Sequence, residues 1–267
     1  MSVLNDQDFN RPLKEALLDA LECILSPVQE VMKAAEERAK VLEVTEDYGI
    51  QLLQVMIDPG YNIAMRQLAS VMFNRYIECH WTTAAESFQE PEVPEELKEN
   101  IKQILPLGLK ESASKIRTSV AHTIATIASF DWPDQWPNLY DALLAHLTSG
   151  DEWAVHGAIR VIREMCKTLN HHICVVSEII LREMNEIVKN DQKFSPRIRS
   201  RAIEVFISCA TIVLYEVKIQ KQLSPLKEVI NQILPNFYEA LVKVLLMQEG
   251  SHIDMRMKTQ VIKDKKS

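Results

Sequence analysis

Residues capable of chemistry are few in this chain, and their spacing works against each kind of site. His171-His172-Ile173-Cys174 sets three potential metal ligands almost side by side. Zinc needs four ligands, usually as two pairs, and no second pair lies at a suitable spacing. The stretch reads as a helix start. The acid pairs Glu36-Glu37, Glu46-Asp47 and Glu95-Glu96 point about 100° apart on a helix, away from any shared substrate, and read as solvated faces. A glycine-rich phosphate loop, an HExxH pair and a nucleophile elbow are all missing from the sequence. Cys23, Cys79, Cys166, Cys174 and Cys209 are odd in number and widely spaced among apolar neighbours, the pattern of reduced core thiols. The expectation is a protein that is not an enzyme and that holds no metal or cofactor.

Polar residues at helical spacing are more informative. Over 61–80, Asn62, Arg66, Ser70, Asn74 and Glu78 recur every four residues, which predicts one wet stripe opposite Leu68, Val71, Met72, Tyr76 and Cys79. Lys115, Thr118, His122 and Thr126 form a second stripe, and His156, Arg160, Glu164 and Lys167 a third. These stripes are mixed in charge and mostly short, which suits a folded protein partner better than a phosphate backbone. The competing reading is a ladder in which Arg66, Arg117, Arg160 and Arg199 pair with acids of neighbouring repeats. Trp132 and Trp136, four apart around two prolines, read as rings covering a seam between repeats, or as an apolar dimple for a partner.

The elements that must carry these residues are helices. Only six glycines occur in 267 residues, about a third of the usual ~7%, which disfavours nucleotide-binding α/β folds and multi-stranded barrels. Helical period dominates, with breaks at Asp58-Pro59-Gly60, Pro91 to Pro94, Trp132 to Pro137, Ser149-Gly150, Ser195-Pro196 and Ser224-Pro225. Helices are predicted over 11–25, 27–43, 45–57, 61–80, 95–107, 111–129, 137–148, 152–169, 171–189, 196–216 and 225–247, the second opened by Ser26-Pro27 as a capping serine and a first-turn proline. A phrase recurs around Ala69, Ala121, Ala158 and Ala202, at spacings of 52, 37 and 44, bracketing the ~40–47 residues of HEAT and armadillo units. A lone pair cannot bury its apolar face, so the predicted fold is all-α, an α-solenoid of about five to six HEAT-like pairs with the polar stripes on one concave wall. The net charge of -7 argues against direct nucleic-acid binding and permits a basic partner. The longest uncharged runs, Thr118 to Phe130 and Val205 to Tyr215, fall short of the ~18 residues that cross a bilayer, and no signal or transit pattern opens the chain, so a cytosolic or nuclear protein is expected.

Three phrases together resemble the importin-β (karyopherin) family. Val28 to Glu43, VQEVMKAAEERAKVLE, is similar to the opening helix of the importin-β N-terminal domain, and Met65 to Trp81, MRQLASVMFNRYIECHW, to its second signature helix. Asp131 to Leu139, DWPDQWPNL, resembles the tryptophan-proline turn after the third pair. The resemblance implies a first helix within 1–26, an importin-β N-terminal-like domain over 27–110, further HEAT repeats over 111–250, and the start of another repeat with a basic tail over 251–267. It implies a nuclear import receptor that binds Ran-GTP on its concave surface, through Arg66, Ser70, Asn74, Lys115, His122, Arg160 and Glu164. Further implied partners are phenylalanine-glycine nucleoporins, with Trp132 and Trp136 as contacts, and basic cargo such as core histones or ribosomal proteins. Such a receptor shuttles between cytoplasm and nucleus. Karyopherins are several times longer, so a fragment, a short isoform or a truncated form is expected, with Val244, Leu245, Leu246, Val261 and Ile262 making an uncapped apolar end. The alternatives are a HEAT scaffold without Ran dependence, or a truncated isoform that transports nothing.

Overall fold

Ten α-helices and one 3₁₀ segment run in order through a computed structural model that describes residues 13–220, 230–235 and 237–239. No strand occurs among them. Two compact units divide at Asp131 and Trp132. The first holds α1 (Leu13–Ile24), α2 (Gln29–Leu42), α3 (Tyr48–Ile57), α4 (Ile63–His80), α5 (Glu95–Ile104), a 3₁₀ segment (Leu105–Lys110) and α6 (Ser114–Asp131). The second holds α7 (Leu139–Thr148), α8 (Glu152–Thr168), α9 (Asn170–Lys189) and α10 (Pro196–Gln220). The expected pairing is present: α1 packs on α2, α3 on α4, α7 on α8 and α9 on α10, while α5 and the 3₁₀ segment back α6. The expected end at 251–267 and its apolar residues lie outside the described residues, as does most of the helix expected over 225–247.

Local chemistry sets the boundaries. Asn62 caps α4 by accepting from the Met65 N–H at 2.9 Å, and Asp151 caps α8 by accepting from Trp153 and Ala154 at 2.8 and 3.2 Å. Ser26 does not cap α2 as expected. Its hydroxyl accepts from Val28 N–H at 3.2 Å in a local turn, and the helix opens at Gln29 without a side-chain cap. The helix expected over 95–107 also ends early, because Pro106 lacks an N–H for the α-helical ladder and the chain tightens into the 3₁₀ segment.

Two glycines set how closely helices approach. A Cβ on Gly49 would lie 2.3 Å from the Tyr76 ring, and one on Gly108 would lie 2.8 Å from Val120. These contacts bring α3 against α4 and the 3₁₀ segment against α6. The first unit's core is built on Leu17, Leu21, Leu52, Leu53, Phe73, Ile77 and Ile101, all fully buried.

Buried arginines close successive pairs. Arg66 Nε donates to the Met56 carbonyl at 3.0 Å, near the end of α3, and Arg199 Nε donates to the Val188 carbonyl at 2.9 Å, near the end of α9. Arg117 Nη1 donates to the carbonyls of Glu111 and Ser112, just past the 3₁₀ segment. Each cation sits early in the second helix of its pair and satisfies carbonyls left open where the first helix stops. The expected ladder of arginines and acids is present at Arg66, which also pairs with Glu111 of the next helix pair. Arg117 and Arg199 instead direct donors to backbone carbonyls, with Asp191 as a nearby acid for Arg199. At the corresponding place in α8 stands His156, which is buried.

Candidate partner-binding surface

α4 and α6 lie side by side in the first unit, and their facing residues form a polar seam. Asn74 Nδ2 donates to Ser119 Oγ at 2.8 Å, Ser119 Oγ donates to the Ser70 carbonyl at 3.3 Å, and Thr123 Oγ1 donates to Asn74 Oδ1. At one end Arg66 pairs with Glu111. Burial pushes the Glu111 carboxyl up, but the Ala113 N–H, Arg66 and the Ser112 hydroxyl outweigh it and hold the group below its usual value. At the other end His122 Nε2 lies 3.4 Å from Glu78 Oε1, with both side chains about half exposed.

The seam corrects the expected stripe on α4. Arg66 and Ser70 are buried and Asn74 is half-buried, Arg66 and Asn74 bonded to α3 or to the α6 side and the Ser70 hydroxyl to Gln67 of its own helix, whereas Val71, expected on the dry side, is 65% exposed. Small polar residues can meet each other across two stacked helices as well as they meet water, so a period of four did not distinguish the two. On α6, Lys115 and His122 are exposed. In the second unit Arg160 is half-buried, and Glu164, 30% exposed, holds Lys167 at 2.7 Å. The third stripe is likewise mixed, since His156 is buried. Trp132 and Trp136 are 6% and 4% exposed, and the Trp132 ring meets the edge of His172 at 6.0 Å. They fill a seam and present no open dimple.

A buried polar cluster escaped the sequence reading. Trp81 is fully buried, and its indole N–H donates to Asp131 Oδ1 at 3.0 Å. Asp131 Oδ2 pairs with Lys102 Nζ at 2.8 Å, and Lys102 also holds Glu99 at 2.9 Å. Lys98 pairs with Glu92 and Glu95, and both ammonium groups lie within 6 Å of the Trp81 ring, at 5.8 and 5.9 Å. Burial lowers both lysines, yet their carboxylate partners outweigh it and raise them above the ordinary value. The available signal was the twice-repeated i,i+3 spacing of Glu95 with Lys98 and Glu99 with Lys102, of which only Glu95, together with Glu96, entered the sequence reading, as a solvated face. Nearby, His80 Nδ1 faces the Gln89 and Pro91 carbonyls at 2.8 and 3.1 Å, so that nitrogen carries a hydrogen and ties the segment after α4 back onto the helix.

The five cysteines are free thiols. Cys209 is held far above its ordinary value by its hydrogen bond to Cys166 and by burial, as expected of a core thiol. Among the described residues no three of His, Cys, Asp and Glu gather as a metal site, and no helix is long and apolar enough to cross a membrane.

Comparison with known proteins gives two family matches, the importin-beta N-terminal domain over residues 35–110 and the exportin 1-like protein family over residues 113–252. The chain belongs to the importin-β (karyopherin) family. Importin-9 of Drosophila melanogaster is 32% identical over 270 residues, covering 98% of this karyopherin chain and 26% of the relative. Importin-11 of Homo sapiens is 31% identical over 143 residues, 52% of this chain and 14% of the relative. Among solved structures, importin beta in an ammonium sulfate condition superposes with a TM-score of 0.70 at 19% identity, covering 92% of this chain and 28% of that one. Lph2, a bidirectional nuclear transport receptor of S. cerevisiae, gives 0.73 at 16% identity, covering 92% and 25%. These neighbours show the fold, a HEAT solenoid. The karyopherin chain spans about a quarter of the length of the relatives that match most of it.

Proposed function

We propose that this chain is the Ran-GTP-binding region of an importin-9-like nuclear import receptor. The supporting observation is its similarity to importin-9 along 98% of its length, together with exposed, mixed-charge residues beside the α4–α6 seam. A further solved neighbour, with a TM-score of 0.62 at 17% identity over 95% of this chain and 30% of that one, is Kap95p, whose binding induces the switch loops of RanGDP to adopt the GTP-bound conformation. In this reading Ran-GTP meets Glu78, Lys115 and His122 directly on the concave face of the second helices. Arg66, Ser70 and Asn74 hold α4 and α6 in register beneath that contact, and Arg160 and Glu164 on α8 are proposed as further contacts within the second unit. Phenylalanine-glycine nucleoporins and basic cargo such as core histones or ribosomal proteins are the further partners, and the receptor shuttles between cytoplasm and nucleus.

The test is a calorimetric titration with Ran carrying a non-hydrolysable GTP analogue, in parallel with Ran-GDP. Binding at least tenfold tighter for the GTP form, about 1.4 kcal/mol, is expected. Lys115→Glu with His122→Glu should weaken it at least fivefold while the helical signal is unchanged. A folded chain that binds neither form would overturn the reading and leave a HEAT scaffold without Ran dependence.

A further inference from the structure

Within the first unit a pocket of about 340 Å³ opens between α2 and α4, on the far side of α4 from the α6 seam. We propose that it is a docking site for one bulky apolar side chain carried on a basic protein segment, with lysine or arginine flanking the anchor. The segment is of the basic class proposed above as cargo, and because the test uses peptides alone, its failure is distinguishable from failure of the Ran-GTP titration.

Size and lining argue for an apolar anchor. The volume sits at the lower end of ligand pockets, roughly 300 Å³, enough for one large aromatic side chain and too little for a folded element. Ile24 from α1, Ala39 from α2, and Leu68 and Met72 from α4 line it. None of the four is exposed, and the flexible thioether of Met72 can adapt to the shape of the guest.

Charge argues for basic flanks. The α2 bank carries Glu36, which is exposed, and Glu43, whose side chain is 14% exposed and faces His80 Nε2 at 3.5 Å. Lys40 stands between them, but its ammonium is drawn to Glu37 at 2.7 Å. Glu46 and Asp47, both exposed, follow just beyond the end of α2. The Glu43 carboxylate, after burial, is the cause that raises the nearby Tyr48 hydroxyl, consistent with an anion standing over the pocket. Arg75 on the α4 bank is the opposing cation. The α2 side therefore presents an excess of carboxylates beside an apolar hole, which steers a cation-flanked anchor and repels an acid-flanked one.

The experiment is a fluorescence anisotropy titration of the 267-residue chain with three labelled peptides of equal length. One carries a tryptophan flanked by lysines, the second a tryptophan flanked by glutamates, and the third a serine flanked by lysines. The lysine-flanked tryptophan should bind at least tenfold tighter than either control. Met72→Glu should remove that advantage, Glu36→Lys should reduce it at least threefold, and Lys189→Glu in the second unit should leave it unchanged, circular dichroism confirming helicity in each case. Equal affinity for the tryptophan and serine peptides, an advantage that survives Met72→Glu, or binding weaker than about 1 mM for all three would overturn the proposal.

Discussion

Asp131 ends α6 with a carboxylate that serves two buried donors at once, the Trp81 indole and the Lys102 ammonium. Removing it takes the more buried of two carboxylate partners from Lys102, whose side chain is 4% exposed and which keeps Glu99, and breaking a buried pair from one side costs more than the pair contributes. Asp131→Ala should therefore lower unfolding free energy by about 3 kcal/mol, measured by urea titration, and Asp131→Asn by less, because an amide oxygen still accepts from Trp81. Glu111 gives a pH signature of the opposite kind from the lysines. Its folded value lies below the ordinary 4.5, so its contribution is fully present above that value and is lost as pH falls through the lower folded one. Unfolding free energy should decline from about pH 5 to about pH 3, and Glu111→Gln should flatten that decline while costing stability at neutral pH. Denaturant titrations at each pH measure both.

At the scale of helices, the approach of α3 to α4 rests on the missing side chain of Gly49. Gly49→Ala places a methyl 2.3 Å from the Tyr76 ring. That ring is hemmed in, stacking edge-on against Tyr48 at 5.5 Å and lying 5.1 Å from His80. Burial and then Glu43 push its hydroxyl up to about 12, the mark of a phenol with little water around it. Overpacking of this kind costs about 1–3 kcal/mol, and the loss should shrink in the double variant with Tyr76→Leu, where space is returned. Thermal denaturation of the two singles and the double variant checks it. A glycine at the fifth position of the helix expected over 45–57 carried no such message in the sequence, because its purpose is set by a ring 27 positions away. The recurring arginine was legible as a repeat, yet its partners were misjudged. A cation early in the second helix looks like half of an ion pair until the end of the first helix is seen beside it, offering open carbonyls.

For the molecule as a whole, a stack of helix pairs gains its stability from each pair and from contacts with its neighbours. A local defect should then stay local. In hydrogen exchange, Gly49→Ala should raise the rates of α3 and α4 and leave α9 and α10 at their original protection. Uniform loss of protection would instead mark one cooperative core. Period and punctuation alone determined that the chain is helical, that its helices pair and that the pairs repeat, because each helix must turn an apolar face inward whatever lies beside it. The family resemblance, which the family matches bear out, came instead from three phrases, Val28 to Glu43, Met65 to Trp81 and Asp131 to Leu139. Only the tertiary structure decided which polar residues meet water. Arg66 and Asn74 face carbonyls and hydroxyls of other helices, the buried Ser70 hydroxyl turns back to the Gln67 carbonyl of its own helix, Lys98 and Lys102 are drawn inward by the acids around Trp81, and Val71 is left outside. The physical reason is that a hydrogen bond to a neighbouring helix satisfies a polar group as fully as one to solvent, and helical spacing does not register the difference.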